Sequence, residues 1–259
     1  MSTAARLGIL VGGTRYIDPQ TQKVRHCLDV LDLDAGATDP DIIPLDFLAH
    51  GFAPHPRRAE AGILEKRGPG GAYLDLATRT LLRTIAPMDG HHFYGHGAFS
   101  RNADVLFAVE SDLGSNDGVI SVRDPSTFAV VDTFPTYGKA PHDALLIEEG
   151  KTLAITNGGS PFDASRSARD GHPPADAADL PCICFVDVAS RKLLERFPVS
   201  EPRINAGHVA VARRRAFVLV SAPRDGLPTN ALGGVSIRPK GGQLRYAQRP
   251  QAVTGRHDG

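Results

Sequence analysis

Along the chain, apolar positions fall in short runs, some continuous and some alternating with polar residues, and each run is bounded by Gly, Pro, Asp, Asn or Ser. Segments such as Val105-Leu106-Phe107-Ala108-Val109 are too short for helices, and this pattern predicts strands. The runs also recur in a fixed order, which is the signature of a repeat architecture. Each period opens on a histidine: Ala49-His50-Gly51-Phe52-Ala53, Gly95-His96-Gly97-Ala98-Phe99, Pro141-His142-Asp143-Ala144-Leu145 and Gly207-His208-Val209-Ala210-Val211. His50, His96 and His142 follow one another at intervals of 46 residues, and His208 comes 66 residues later. A polar insertion, Gly158 to Pro181, accounts for the longer interval.

After each histidine segment come three further runs. The second-strand runs are Ala61 to Leu64, Val105 to Val109, Thr152 to Ile155 and Ala216 to Val220. The third are Ala72 to Leu76, Val119 to Val122, Cys182 to Asp187 and Gly234 to Ile237, and the fourth are Leu81 to Ile85, Val130 to Phe134, Leu193 to Phe197 and Gln243 to Tyr246. Between third and fourth, Asp75, Asp124 and Asp187 each open a turn that their own carboxylate can cap. Four strands per period match one blade of a β-propeller. Leu7 to Val11, Val24 to Leu33 and Ile42 to Leu45 supply three strands of an earlier blade that lacks its innermost strand. The expected fold class is therefore all-β, a β-propeller of four-stranded blades with about five blades visible, forming one domain over residues 1–259.

In such a blade the innermost strand begins at one face of the disc, so the four repeated histidines should gather at one mouth of the channel. Glu65, Glu110, Asn157 and Ser221, at the ends of the second strands, should point the same way, with the insertion overhanging that face. Imidazoles converging with carboxylates suit copper, iron or zinc. His50, His96, His142, His208, Glu65 and Glu110 are thus candidate metal ligands. His91, His92, Tyr94 and Asn157 are candidate ligand-binding residues beside them. A histidine repeated at one blade position also has a plain structural use, donating to a neighbouring strand so that buried polar groups are satisfied. His26, His55, His172 and His257 fall outside the repeated position and are expected on surfaces or loops.

Composition narrows the rest. Gly and Pro, 27 and 20 residues, suit a chain of many turns, and 29 basic side chains balance 29 acidic ones. Nucleic-acid binding, which calls for a basic excess, is not expected. No run approaches the roughly 20 apolar residues that cross a bilayer. Three cysteines cannot build a disulfide framework, and Cys182 and Cys184, two apart in a strand, should share one buried face. Gly12-Gly13 and Gly158-Gly159 lack the context of a phosphate loop, and no G-x-S-x-G nucleophile elbow occurs.

The run Gly90-His91-His92-Phe93-Tyr94-Gly95-His96-Gly97-Ala98-Phe99-Ser100 resembles the hallmark of a bacterial propeller family, domain of unknown function 1513. His50 to Pro56, Gly118 to Val122, Pro141-His142-Asp143 and Thr156 to Gly159 support the resemblance, which spans roughly Leu7 to Leu244. It implies a YVTN- or quinoprotein-like disc of about seven blades and an exported protein. It also implies a genomic neighbourhood of imelysin-type iron-regulated proteins and di-haem oxidoreductases. Periplasmic iron or redox-metal handling is the expected role, with copper, iron or haem as cofactor and a redox or iron-uptake protein as partner. The chain departs from the family in showing no export signal, which leaves a cytoplasmic setting open, and in stopping about two blades early. A disc completed by another chain would then use open blade edges for self-assembly. The leading expectation is a propeller that binds a metal, haem or redox partner at its histidine-lined mouth. The alternatives are a metal-dependent oxidoreductase or lactonase-like enzyme, and a pure protein-interaction scaffold.

Overall fold

The computed structural model describes residues 8–159, 179–199, 204–211, 217–223, 235–238 and 245–247. Within them the chain is a series of antiparallel sheets, with a 3-10 turn at Glu148–Gly150. The first sheet is β1 (Ile9–Ile17), β2 (Val24–Asp32) and β3 (Asp41–Leu45), in that spatial order. The next two blades are β4 (Ala49–Pro54), β5 (Glu60–Gly68), β6 (Gly71–Asp75) and β7 (Thr80–Thr84), then β8 (His91–Phe99), β9 (Leu106–Asp112), β10 (Asp117–Arg123) and β11 (Val130–Lys139). Next come β12 (Pro141–Ile147), β13 (Thr152–Asn157), β14 (Cys182–Asp187) and β15 (Leu193–Pro198), and finally β16 (Ile204–Val211), β17 (Phe217–Pro223), β18 (Val235–Arg238) and β19 (Arg245–Ala247). Every blade expected from the histidine period is present as a sheet whose strands pair in sequence order.

Two details differ from the expected pattern. β1 runs on to Ile17, beyond the predicted end at Val11, because it pairs with β2 along its full length. β8 starts at His91 instead of Gly95, and its early residues pair with the end of β5, Lys66 opposite Tyr94 and Gly68 opposite Phe93. This joins two blades that the repeat alone treats as separate. His26, expected on a surface or loop, lies half-buried in β2, while His55 sits in the loop after β4 and accepts hydrogen bonds from the Arg57 and Arg58 backbone. His172, His257 and most of the insertion, residues 160–178, lie outside the described residues.

The core lies between blades. Leu28, Val30 and Ile43 of the first sheet pack on Ile63, Ala72 and Leu74 of the second. Leu64, Tyr73, Phe93, Leu106 and Phe128 fill the next interface, and Phe107, Ile120, Phe134, Leu153 and Ile155 the one after. Each fully buried Phe or Leu contributes about 1.5–3 kcal/mol by leaving water, so the blades are held face to face by continuous apolar layers. Outside, the turns repeat one device. Asp75 Oδ1 accepts from the Ala77 and Thr78 amides, Asp124 Oδ1 from Ser126 and Thr127, and Asp187 Oδ1 from Ser190. Four residues after each Asp, Arg79, Phe128 and Arg191 adopt a left-handed φ near 60° that closes the turn. Arg79 and Arg191 then reach back to Asp41 and Asp132 on the outer strand of the preceding blade.

The cysteine pair behaves as the two-residue strand period requires. Cys182 and Cys184 are buried with their Sγ atoms 3.7 Å apart, and Asn157 Nδ2 lies 3.6 Å from Cys184 Sγ. At the base of the insertion, Gly158 and Gly159 donate to the Ala140 and Lys139 carbonyls, and Lys139 pairs with Asp179 at 3.0 Å. The insertion is therefore anchored beside Pro141 and His142.

Candidate metal centre

The four repeated histidines occupy the four innermost strands β4, β8, β12 and β16. In each, pairing with the second strand slips at the histidine: between Ala49 and Gly51, Phe93 and Gly97, Pro141 and Asp143, and Asn205 and His208. Such bulges re-aim a side chain out of the regular alternation. Glycine permits the close approach that follows. A Cβ on Gly51 would stand 1.4 Å from the Gly95 carbonyl oxygen, and one on Gly95, whose φ is +107°, 2.5 Å from the His50 ring.

The result is one compact imidazole cluster. One ring nitrogen from each of His50, His96, His142 and His208 lies within 4.8 Å of the other three. Ring centroids are 5.0 Å apart for His50 and His96, 5.2 Å for His96 and His142, and 4.8 Å for His142 and His208. Nitrogens bound about 2.0–2.1 Å from a zinc-sized ion stand roughly 3.4 Å apart in a tetrahedron, so a small inward movement brings all four onto one ion. Nε2 of His50, His96 and His142 is buried and has no hydrogen-bond partner. Buried polar atoms are rarely left this way, because each costs about 1–3 kcal/mol.

Electrostatics keep these rings available as ligands. Burial, with Lys66 and the neighbouring imidazoles adding to it, holds the His50 pKa down to about 3. Burial also lowers His96 to about 4, partly offset by Asp143, and takes His142 well below its usual range. Near neutral pH these three imidazoles are uncharged, the state a metal needs. Asp143 lies between two of the rings, Oδ1 3.6 Å from His96 Nδ1 and Oδ2 3.7 Å from His208 Nδ1, and Oδ2 accepts from the Val209 amide at 3.1 Å. Burial works to raise its pKa, but His208, His96 and the Val209 amide outweigh this and keep the carboxyl below the ordinary range. A carboxylate behind two imidazoles is the arrangement that orients metal-bound histidines through their second nitrogen. The His208 side chain is 52% exposed, which makes it the solvent side of the cluster.

The other expected site residues are placed elsewhere. Glu65 does not join the imidazoles; its Oε2 accepts from the Gly70 amide at 2.9 Å and closes the β5–β6 turn. Glu110 does not either, being fully buried with Oε1 2.5 Å from Arg123 Nη2 and Oε2 accepting from the Met88 amide at 2.9 Å, while Ser121 donates to Oε1. The strand-end position, expected to face the mouth, is one where an acid satisfies buried backbone and side-chain donors. Asn157 is equally engaged, donating to the Thr136 carbonyl at 3.1 Å and accepting from Thr136 Oγ1 at 2.6 Å. His91 turns outward to the Asp89 carbonyl, 2.9 Å from Nδ1. His92 is buried with its ring 5.8 Å from that of Tyr94, and burial, then Arg67, lowers its pKa to about 4. Tyr94 is nearest the cluster, its ring centroid 6.2 Å from that of His142 and its hydroxyl accepting from Arg67 Nε at 3.1 Å. The side chain of Ser221 lies outside the described residues.

Sequence reasoning passed over Asp143 and Lys66. Each breaks the repeat: Asp143 is the one acid directly following a repeated histidine, where Gly51, Gly97 and Val209 stand in the other blades. Lys66 follows Glu65 where Ser111, Gly158 and Ala222 follow the equivalent residues.

Strand order, interblade cores and a histidine from each innermost strand define the class, an all-β propeller with a cluster of imidazoles on its innermost strands. The chain belongs to the family described as protein of unknown function (DUF1513), whose signature matches residues 43–256. No curated protein sequence matches it. Among solved structures, the chain is similar to Kuenenia stuttgartiensis hydrazine synthase, with a TM-score of 0.57 and 15% identity over 90% of this chain and 67% of that one. At that identity the likeness shows the fold alone. Among the described residues no helix is long and apolar enough to cross a membrane.

Proposed function

We propose that this propeller holds a single transition-metal ion at the channel mouth, with His50, His96, His142 and His208 as ligands and Asp143 orienting His96 and His208. The observation that carries this reading is the set of three buried Nε2 atoms without partners in a four-imidazole cluster. A purely structural histidine ring would be expected to spend those nitrogens on hydrogen bonds. The donor set is nitrogen only, which suits copper, iron or zinc and, among divalent ions, favours copper by intrinsic affinity. The mutual spacing supports one ion among the four rings in preference to a haem, which would have to part them. A role in iron or redox-metal handling, in the periplasm and with a redox partner protein, belongs to the same reading through the family resemblance.

The test is metal analysis of the purified protein before and after loading with Cu(II), Fe(II) or Zn(II). One ion per chain, raising the thermal midpoint by mass action and lost in the His96→Ala, His142→Ala double variant, is the expected result. Failure of the unmodified chain to retain any of the three ions would sink the proposal. A strand from a second chain adding to the edge of β1 that no described strand pairs, where Leu10 and Ile17 are exposed, belongs to the expected self-assembly; a monomer at all concentrations in sedimentation would rule it out.

A further inference from the structure

Lys66 is the wrong residue for a site that binds only a cation. It lies at the end of β5, opposite Tyr94 where β5 meets β8, two residues before His96. It is half-buried and forms no hydrogen bond or ion pair with any described residue. Its charge bears on three of the four rings, His50, His96 and His142. An ammonium in that place repels an incoming metal ion, and in a partly dehydrated mouth the repulsion is poorly screened. The carboxylate of Asp143, shared between His96 and His208, offsets only one charge. A divalent ion together with Lys66 therefore leaves the mouth doubly positive, which is costly for a partly buried site unless something neutralises it.

The solvent side of the cluster, at half-exposed His208, is where a further ligand can reach the ion. We propose that on this side the metal takes a fifth ligand beyond the four imidazoles, a compact inorganic anion such as hydroxide or a small oxyanion, and that Lys66 is the residue that selects for its negative charge. This rests on the metal reading above and deepens it. Lys66 is then unfavourable for metal uptake and favourable for the metal–anion pair, because the three charges alternate in sign. No other described residue supplies a free cation at this mouth: Arg67 is occupied by the Tyr94 hydroxyl and ring, and Arg123 by Glu110.

Azide is a suitable probe, since its binding to protein-bound Cu(II) can be followed by a new charge-transfer band in the visible spectrum. We expect Lys66→Met to lower azide affinity about tenfold or more, an effect of roughly 1.4 kcal/mol, and Lys66→Arg to restore most of it. Copper affinity in Lys66→Met should be unchanged or higher. Imidazole, a neutral ligand for the same position, should bind unmodified protein and Lys66→Met equally, which shows that the variant site is intact. Equal azide affinity in the two proteins overturns the role of Lys66 while leaving the metal site standing. Equal weakening of azide and imidazole overturns it too, since the lysine would then be supporting structure. If the unmodified chain takes up no copper, the metal reading fails and this inference with it.

Discussion

Two polar clusters meet at the blade of β8 to β11, one within it and one across the four innermost strands, and they are built on opposite principles. In the first, Glu110, Ser121 and Arg123 close on one another, with Met88 donating to the remaining carboxylate oxygen and the Phe128 carbonyl accepting from Arg123. In the second, four imidazoles crowd together and three Nε2 atoms are left without partners. In the first cluster the buried ion pair is thus fully satisfied. Unpaired nitrogens a strand away mark a place kept open for something the chain does not itself provide.

The contrast can be broken from either side. Glu110→Ala should strand the Arg123 guanidinium in the core and lower stability by about 3–5 kcal/mol, read from urea unfolding, while metal stoichiometry in the folded fraction stays at one. A variant of unaltered stability would mean that the closed cluster is not structural. Asp143→Asn should act the other way round. Little change in unfolding is expected, but metal affinity should fall about 10–100-fold because His96 and His208 lose the carboxylate behind them; an unchanged affinity in competition with a chelator would remove Asp143 from the site.

The contrast also sets the pH dependence of the metal-free protein. Imidazoles of the unfolded chain take up protons near pH 6.5, whereas folded His50 and His96 resist protonation down to about 3 and about 4. Between those values the unfolded chain binds more protons, so stability is fully present above about 6.5 and declines as the pH falls through this window. Thermal midpoints measured across it should slope upward with pH. The slope should weaken in the His96→Ala, His142→Ala variant, and an unaltered slope would show that other groups set the acid response.

Much of this architecture is legible without coordinates. Turn residues bound each strand, and the Asp-led turns at Asp75, Asp124 and Asp187 recur because the same carboxylate-to-amide geometry closes each of them. The histidine period places one imidazole at the same position of each innermost strand. Glu65, Glu110 and Asn157 were placed less well. They too recur at equivalent positions, but a period says only that residues are equivalent, not which neighbour each one meets. Glu65 meets a turn amide, Glu110 an arginine of the adjacent strand, and Asn157 a threonine of the preceding blade.

The chain's local pattern therefore determined the strands, their order and the radial equivalence of four histidines, since alternation, turn chemistry and repeat length are properties of short segments. Only the tertiary structure decided how closely the imidazoles approach, because that depends on bulges in four separate strands and on two glycines that let the innermost strands nearly touch. It also decided that Asp143 and Lys66 belong to the cluster while Glu65 and Glu110 do not. Distances between blades are set by packing across their faces, and no single blade's sequence contains them.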